Sequence, residues 1–540
     1  MEQRIFIDAN AWVGRRGLKD IETPFETETL LEEMEWCGIQ GALIAHALGK
    51  EYTPDWGNRA LLQELKKSPR LYGVWSVMPH HTGEMAPPRE VIQQMRDNNI
   101  RAAKMYPRTH HYFFNEDSCG ALLSALEEEE ILLILEGGGT YGPDIMDPAN
   151  QVLLSELDAM LTLHPRLPVL LQNSRWDATR YLHTLMTKHP RLHMEFSSHQ
   201  GNHALEEFAG WFGVERVLFG SGALDKSPGA AKAFVDYCTL PEEQKMLIAG
   251  GNIARLLKLK QGPPMYRAKR TKDTILAAAR EGRPIRDALV IDAHAHIAHD
   301  GAVGVGFIHQ PFSDAQSMWE RAKLMGIKQI HMSAWLSVWS GHDDGNRVTA
   351  DAMKRFPKFY YGYAALHPAY VKDWKKEIAR VHGKHRMTGL KPYHPRTDLG
   401  YSDPAWSTWF DYGNRHRLYT LLHPSANFGP ELDVILPKYP DMTFILAHQG
   451  GSFKEARRGI EYAQKYKNVA LEITLTAATY KVIEFMAEHA GADRVLFGTD
   501  QPMRDPIPQF GWMAYTHCTL DAKRHMFGLN MKKILQRVRW

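Results

Sequence analysis

Cysteine is scarce: Cys37, Cys119, Cys238 and Cys518 are scattered through 540 residues with no C-x-x-C pair. That excludes a disulfide framework and a thiolate zinc site, and it predicts a reducing compartment, the cytoplasm. Net charge is scarce as well. A formal charge of +3 on a chain this long, with no Lys/Arg run interleaved with aromatics, excludes a dedicated nucleic-acid binder. Long apolar runs are missing too, since no stretch reaches the roughly 18 residues of a membrane span. The N-terminal residues enter a strand pattern directly, without the apolar segment of a signal peptide. What is present, 44% apolar and 24% charged residues, is an ordinary globular composition. At 540 residues the chain exceeds what one core normally holds, so two domains are expected.

Short apolar runs with strand character alternate with longer helical patterns. In the first half they fall at 5–8, 41–45, 72–77, 102–106, 131–136, 169–172, 193–196 and 217–220. Strands separated by helices in this number predict a (β/α)8 barrel over residues 1–260. The texture then changes at Gly262-Pro263-Pro264 and the basic run Arg267 to Arg270, ending at Gly282-Arg283-Pro284, so 261–288 reads as a linker. The beat restarts at 289–292, 329–332, 361–366, 389–393, 419–423, 444–448, 470–473 and 495–498, predicting a second barrel over 289–540. The fold class is therefore α/β, two tandem TIM-like barrels.

The two halves also share letters. Phe6-Ile-Asp-Ala-Asn-Ala-Trp12 lies over Val290-Ile-Asp-Ala-His-Ala-His296, and Arg216-Val-Leu-Phe-Gly-Ser-Gly222 over Arg494-Val-Leu-Phe-Gly-Thr-Asp500. Tyr72-Gly73 matches Tyr361-Gly362, Asp55 to Arg59 resembles Asp343 to Arg347, and Cys238-Thr-Leu240 matches Cys518-Thr-Leu520. Matches repeated in the same order identify a tandem duplication.

In the second copy the strand ends carry His294, His296, Lys391, His423, His448 and Asp500. The C-terminal ends of parallel barrel strands surround one mouth, so these residues are expected to converge there. His294 and His296, two apart on a strand, project together as the start of a metal site, although a lone His-x-His more often reads as an ordinary polar strand end, and His423 and His448 taken singly read as core histidines. The segments Asp292-Ala-His-Ala-His296, Gly389-Leu-Lys-Pro-Tyr393, Leu421-Leu-His-Pro424, Ile445-Leu-Ala-His-Gln-Gly-Gly451 and Leu496-Phe-Gly-Thr-Asp-Gln-Pro502 together resemble the amidohydrolase superfamily. The likeness is to its amidohydrolase-related branch, which holds metal-dependent hydrolases and nonoxidative decarboxylases.

That resemblance implies that His294, His296, His423 and Asp500 bind one divalent metal, zinc first and manganese second, and that His448 is the catalytic acid/base. Imidazole and carboxylate ligands suit those ions, and a bound ion lowers the pKa of water from about 15.7 toward 7. Asp500 is then placed to accept a proton from the attacking water. In two-metal relatives a strand-4 lysine is carbamylated. Here Lys391 is instead expected to face an anionic substrate group or form an ion pair, because the first copy keeps Lys104 after its histidines have gone.

In that first copy Asn10, Trp12, Glu136, Asn173 and Gly222 stand at the positions of His294, His296, His423, His448 and Asp500, and no catalytic metal is expected there. His80, His81, His110, His111 and His199 follow no ligand pattern. Because active barrels of related decarboxylases work as dimers, the first copy is expected to act as a built-in partner in an intramolecular pseudo-dimer, with further homo-oligomers open. Around the second mouth, Trp335, Trp339, Tyr393, His394, Trp406 and Trp409 either line a substrate pocket or pack the loops, and Lys391 and Arg396 are placed to hold a carboxylate. The leading expectation is hydrolysis of a small ester, lactone or amide. The second is nonoxidative decarboxylation of an aromatic or unsaturated acid, and the third a noncatalytic binding protein.

Overall fold

The computed structural model describes residues 4–17, 21–137, 152–266, 270–306 and 308–540, with side chains throughout these except His394. Arg267 to Lys269 of the basic run lie outside the described residues. The chain forms two compact units, Met1–Arg270 and Thr271–Trp540. Each contains an eight-stranded parallel sheet whose strands follow one another in chain order, with helices between them. Each sheet is a (β/α)8 barrel, and hydrogen bonds between its first and last strands close it: Ala9 N donates to Phe219 O at 3.0 Å in the first, Ala293 N to Phe497 O at 2.9 Å in the second.

Helices cover the outer face and side chains fill the inner one, so strands such as Val169–Gln172 and Thr443–Leu446 are buried at every residue. Leu43, Leu132, Ile134 and Leu170 are in the first core. The second core includes the rings of Tyr363 and Tyr419, whose buried hydroxyls find partners. Tyr363 donates to Ala293 O at 2.7 Å, and Tyr419 pairs with His331 Nδ1 at 2.8 Å.

The first strand of each barrel runs further than its apolar pattern suggests, Ile7–Val13 and Ile291–Ile297. Strand 8 supplies the reason: its following turn hydrogen-bonds Trp12 N and His296 N, extending the ladder past the apolar residues. The pairing register shifts between Asp8 and Ala11, and again between Asp292 and Ala295. Such a bulge re-aims side chains, and it falls at Asn10 and His294. By contrast, strands 4 and 8 of the second barrel shorten to Gly389–Leu390 and Val495–Leu496, so Lys391 and Asp500 stand just beyond them.

Within the stretch read as a linker, helix Thr274–Arg280 is capped by Asp273, which accepts from Ile275 N and Leu276 N. Ile275 and Leu276 are buried, and Asp273 also pairs with Lys523 at 2.6 Å, so this helix is packed into the second unit. Among the described residues no helix is long and apolar enough to cross a membrane.

Candidate metal centre

His294 and His296 project from the first strand of the second barrel toward Asp500, which follows the last. His294 Nε2 lies 3.5 Å and His296 Nε2 3.3 Å from Asp500 Oδ1. One atom from each of the three lies within 4.8 Å of the others, and all three residues are buried. His423 is outside that trio: its ring centre lies 4.9 Å from that of His448, which in turn lies 5.0 Å from that of His294. Lys391 is buried with Nζ 3.4 Å from His294 Nε2. Asp500 and His448 both adopt left-handed backbone conformations, φ 56° and 63°. Their equivalents Gly222 and Asn173 keep that backbone, at 74° and 55°.

Hydrogen bonds determine which nitrogen each histidine presents. His294 Nδ1–H donates to Glu472 Oε2 at 2.9 Å, leaving the Nε2 lone pair toward the centre. His448 Nδ1–H donates to Thr474 O at 2.8 Å, and His423 Nδ1–H to Pro424 O at 3.1 Å. His296 Nδ1 pairs with Ser333 Oγ at 3.3 Å. Burial, the largest influence at all four, disfavours the imidazolium and pulls their pKa values down, those of His294 and His423 well below the ordinary value. Neutral imidazoles are the ligand form. Burial alone would raise Asp500, but the Arg504 guanidinium bonded to its Oδ2, followed by His294, holds it well below the usual carboxylate range. Neutral nitrogens and an ionised oxygen, dry and oriented, fit a divalent cation.

Beneath the trio, burial pushes Asp292 up to about 7 and raises Glu472. Asp292 accepts from His294 N, Thr499 N, Thr499 Oγ1 and Gln501 Nε2, which ties the first strand to the turn carrying Asp500. Glu472 and Arg504 were not identified from sequence. The signal was present in the duplication, since Glu195 and Lys226 occupy their positions in the first copy. Because Glu472 sets the His294 tautomer, Glu472→Gln is expected to weaken metal binding about 10–100-fold. Competition against a chelator measures this, and unchanged affinity would show that Glu472 does not orient the ligand.

In the first barrel the equivalent place is filled differently. Asn10 Nδ2 donates to Glu195 Oε1 and Asn173 Oδ1, both at 3.2 Å. Glu136 sits between Lys104 at 2.8 Å and Lys50 at 2.7 Å, and Lys104 Nζ lies 4.2 Å over the Trp12 ring. Gly222 offers no carboxylate, and a Cβ there would meet Lys226 Cδ at 3.0 Å. An ion-paired cluster thus occupies the first mouth.

The predicted mouth aromatics separate into two groups. Trp335 stacks on His296, ring centres 4.0 Å apart and planes 17° apart, and Trp339 neighbours it at 5.9 Å. Tyr393 lies 5.5 Å from His423, and the Arg396 guanidinium lies 4.0 Å over Trp339. Trp406 and Trp409 are fully buried in helix packing, Trp409 Nε1 donating to His382 Nε2 at 2.8 Å. Among the described residues a further group, His342, Asp343 and Glu377, meets ligand spacing, but Arg380 bonds both carboxylates and makes it an ion-pair cluster.

A family model described as amidohydrolase matches residues 51–259 and 291–537. No curated protein matches the chain. Among solved structures, an uncharacterized TIM-barrel protein from Bordetella bronchiseptica matches at 18% identity and TM-score 0.37, over 47% of this chain and 98% of its own. The 5-carboxyvanillate decarboxylase from Sphingomonas paucimobilis matches at 16% identity and TM-score 0.39, over 47% and 99%. A dihydroxybenzoic acid decarboxylase from Polaromonas sp. JS666, with bound manganese and the inhibitor 2-nitroresorcinol, matches at 17% identity and TM-score 0.36, over 46% and 97%.

Proposed function

The chain belongs to the amidohydrolase family, and from that premise we propose that its second barrel catalyses metal-dependent, nonoxidative decarboxylation of a planar carboxylic acid. This places the second expectation from the sequence ahead of hydrolysis. Charge is the observation that carries it. Lys391 and Arg504 are buried beside the ligand trio, at 1% and 5% exposure, and together with a divalent ion they would outweigh the negative charges of Asp500, Glu472 and Asp292. Such a centre favours an anionic substrate over a neutral ester.

A divalent ion held by His294, His296 and Asp500, zinc by the predominance of nitrogen ligands or manganese, would supply Lewis-acid charge for a carboxylate. His423 is proposed to complete its coordination. Lys391 orients the carboxylate, its ammonium eased down to about 8 by burial. Arg504 keeps Asp500 ionised, which suits a ligand and disfavours it as the acid. The proton for the carbon that loses carbon dioxide is assigned to His448: its Nδ1–H is engaged by Thr474 O, so Nε2 takes up a proton from solvent and passes it to the carbon, the transient cation being disfavoured by burial and yielding that proton readily. Arg396 is proposed to hold a second polar substituent at the rim.

The test is a panel of aromatic and unsaturated acids, esters and lactones, with carbon dioxide and ring or ester opening followed separately. Carbon dioxide release, lost in His448→Asn, is expected. Ester or lactone opening without carbon dioxide would restore hydrolysis, for which the free His448 nitrogen would serve as the base.

A further inference from the structure

Beside His296 lies a cavity whose chemistry differs from that of the metal centre. Its volume is about 380 Å3, within the range of small-molecule sites. Ile297, Val305, Ala334, Leu336 and Val348 make its walls apolar, and Arg396 stands at its lining. Trp335 joins the two places: its ring stacks on the His296 imidazole and the residue also lines the cavity. Trp335 is 2% exposed, and its indole N–H has no acceptor among the described residues. A buried donor is normally satisfied, and the face of an aromatic ring is an acceptor that such an N–H can meet.

His296, and through it the ligand trio, adjoins the Trp335 ring that also walls the apolar space. We propose that the cavity is a second substrate subsite, taking an apolar aryl arm attached to the carboxylate-bearing part. The inference rests on the decarboxylase reading and deepens it: the acid is bipartite, with its reacting end at the ligand trio and its arm against Trp335 and Trp339. Apolar walls gain from such an arm in proportion to the area removed from water.

Calorimetric titration of the full chain with benzoate and with biphenyl-4-carboxylate, in the presence and absence of a chelator, tests this without turnover. The biphenyl acid is expected to bind at least about tenfold more tightly. Val348 is a half-buried position on helix His342–Arg355, so Val348→Phe fills the cavity from a site that tolerates a larger side chain. It is expected to erase the preference for the biphenyl acid, whereas Val348→Ala keeps the preference. Equal binding of the two acids, binding of neither, or a preference surviving Val348→Phe would overturn the subsite. A preference without carbon dioxide release from any acid would overturn only the decarboxylase reading. Carbon dioxide release without the preference would overturn only the subsite.

Discussion

His294→Ala is expected to leave the protein without its metal and without measurable decarboxylation. The side chain removed is buried, faces Asp500 with one nitrogen and is held by Glu472 with the other. Loss of a ligand costs more than the roughly 10–100-fold set by loss of an outer hydrogen-bond partner. Metal content by elemental analysis and carbon dioxide release should fall together. Asn10→Ala, at the equivalent position of the first barrel, should leave metal content at the wild-type value. Retention of metal by the His294 variant, or its loss in the Asn10 variant, would place the ion elsewhere.

The second large effect is one of stability, in the first barrel. Burial disfavours the Glu136 carboxylate, yet Lys104 and then Lys50 outweigh it and hold the group at about 2. Lys104 is itself lowered to about 8 by the same burial, which outweighs the pull of Glu136, with the charges of Lys50 and Arg16 adding to the lowering. Glu136→Gln leaves both cations against a neutral amide, and breaking a buried pair in this way costs about 3–5 kcal/mol. The depressed folded-state pKa points the same way. The stabilisation is complete above the unfolded value near 4.5 and disappears as pH falls through about 2, a contribution of about 3 kcal/mol. Thermal or urea unfolding at neutral pH should show the loss, and the variant should lack the wild type's fall in stability over that acid window. Unchanged melting would mean that the cluster contributes nothing to the fold.

How far the sequence could be read depended on whether a feature is periodic or convergent. Strand beats and the repeated Ile-Asp-Ala and Val-Leu-Phe-Gly segments are local, so the barrels and the pairing of His294 with Asn10 or Asp500 with Gly222 were legible. The bulge at His294 was not, because it arises from hydrogen bonds to a turn about 200 residues away. Trp335 and Trp406 look alike in sequence, yet one stacks on a candidate ligand and the other disappears into helix packing.

By itself, then, the chain determined two tandem barrels and the ring of polar residues at the second mouth, since topology sends every strand end of a (β/α)8 barrel to one rim. Tertiary structure alone decided which of those residues come within ligand distance, that Glu472 and Arg504 orient and charge them, and that an apolar cavity opens beside Trp335. The reason is physical: strand position follows from a repeating pattern, whereas rotamers, hydrogen-bond partners and cavities follow from side chains that meet only after the barrel has closed.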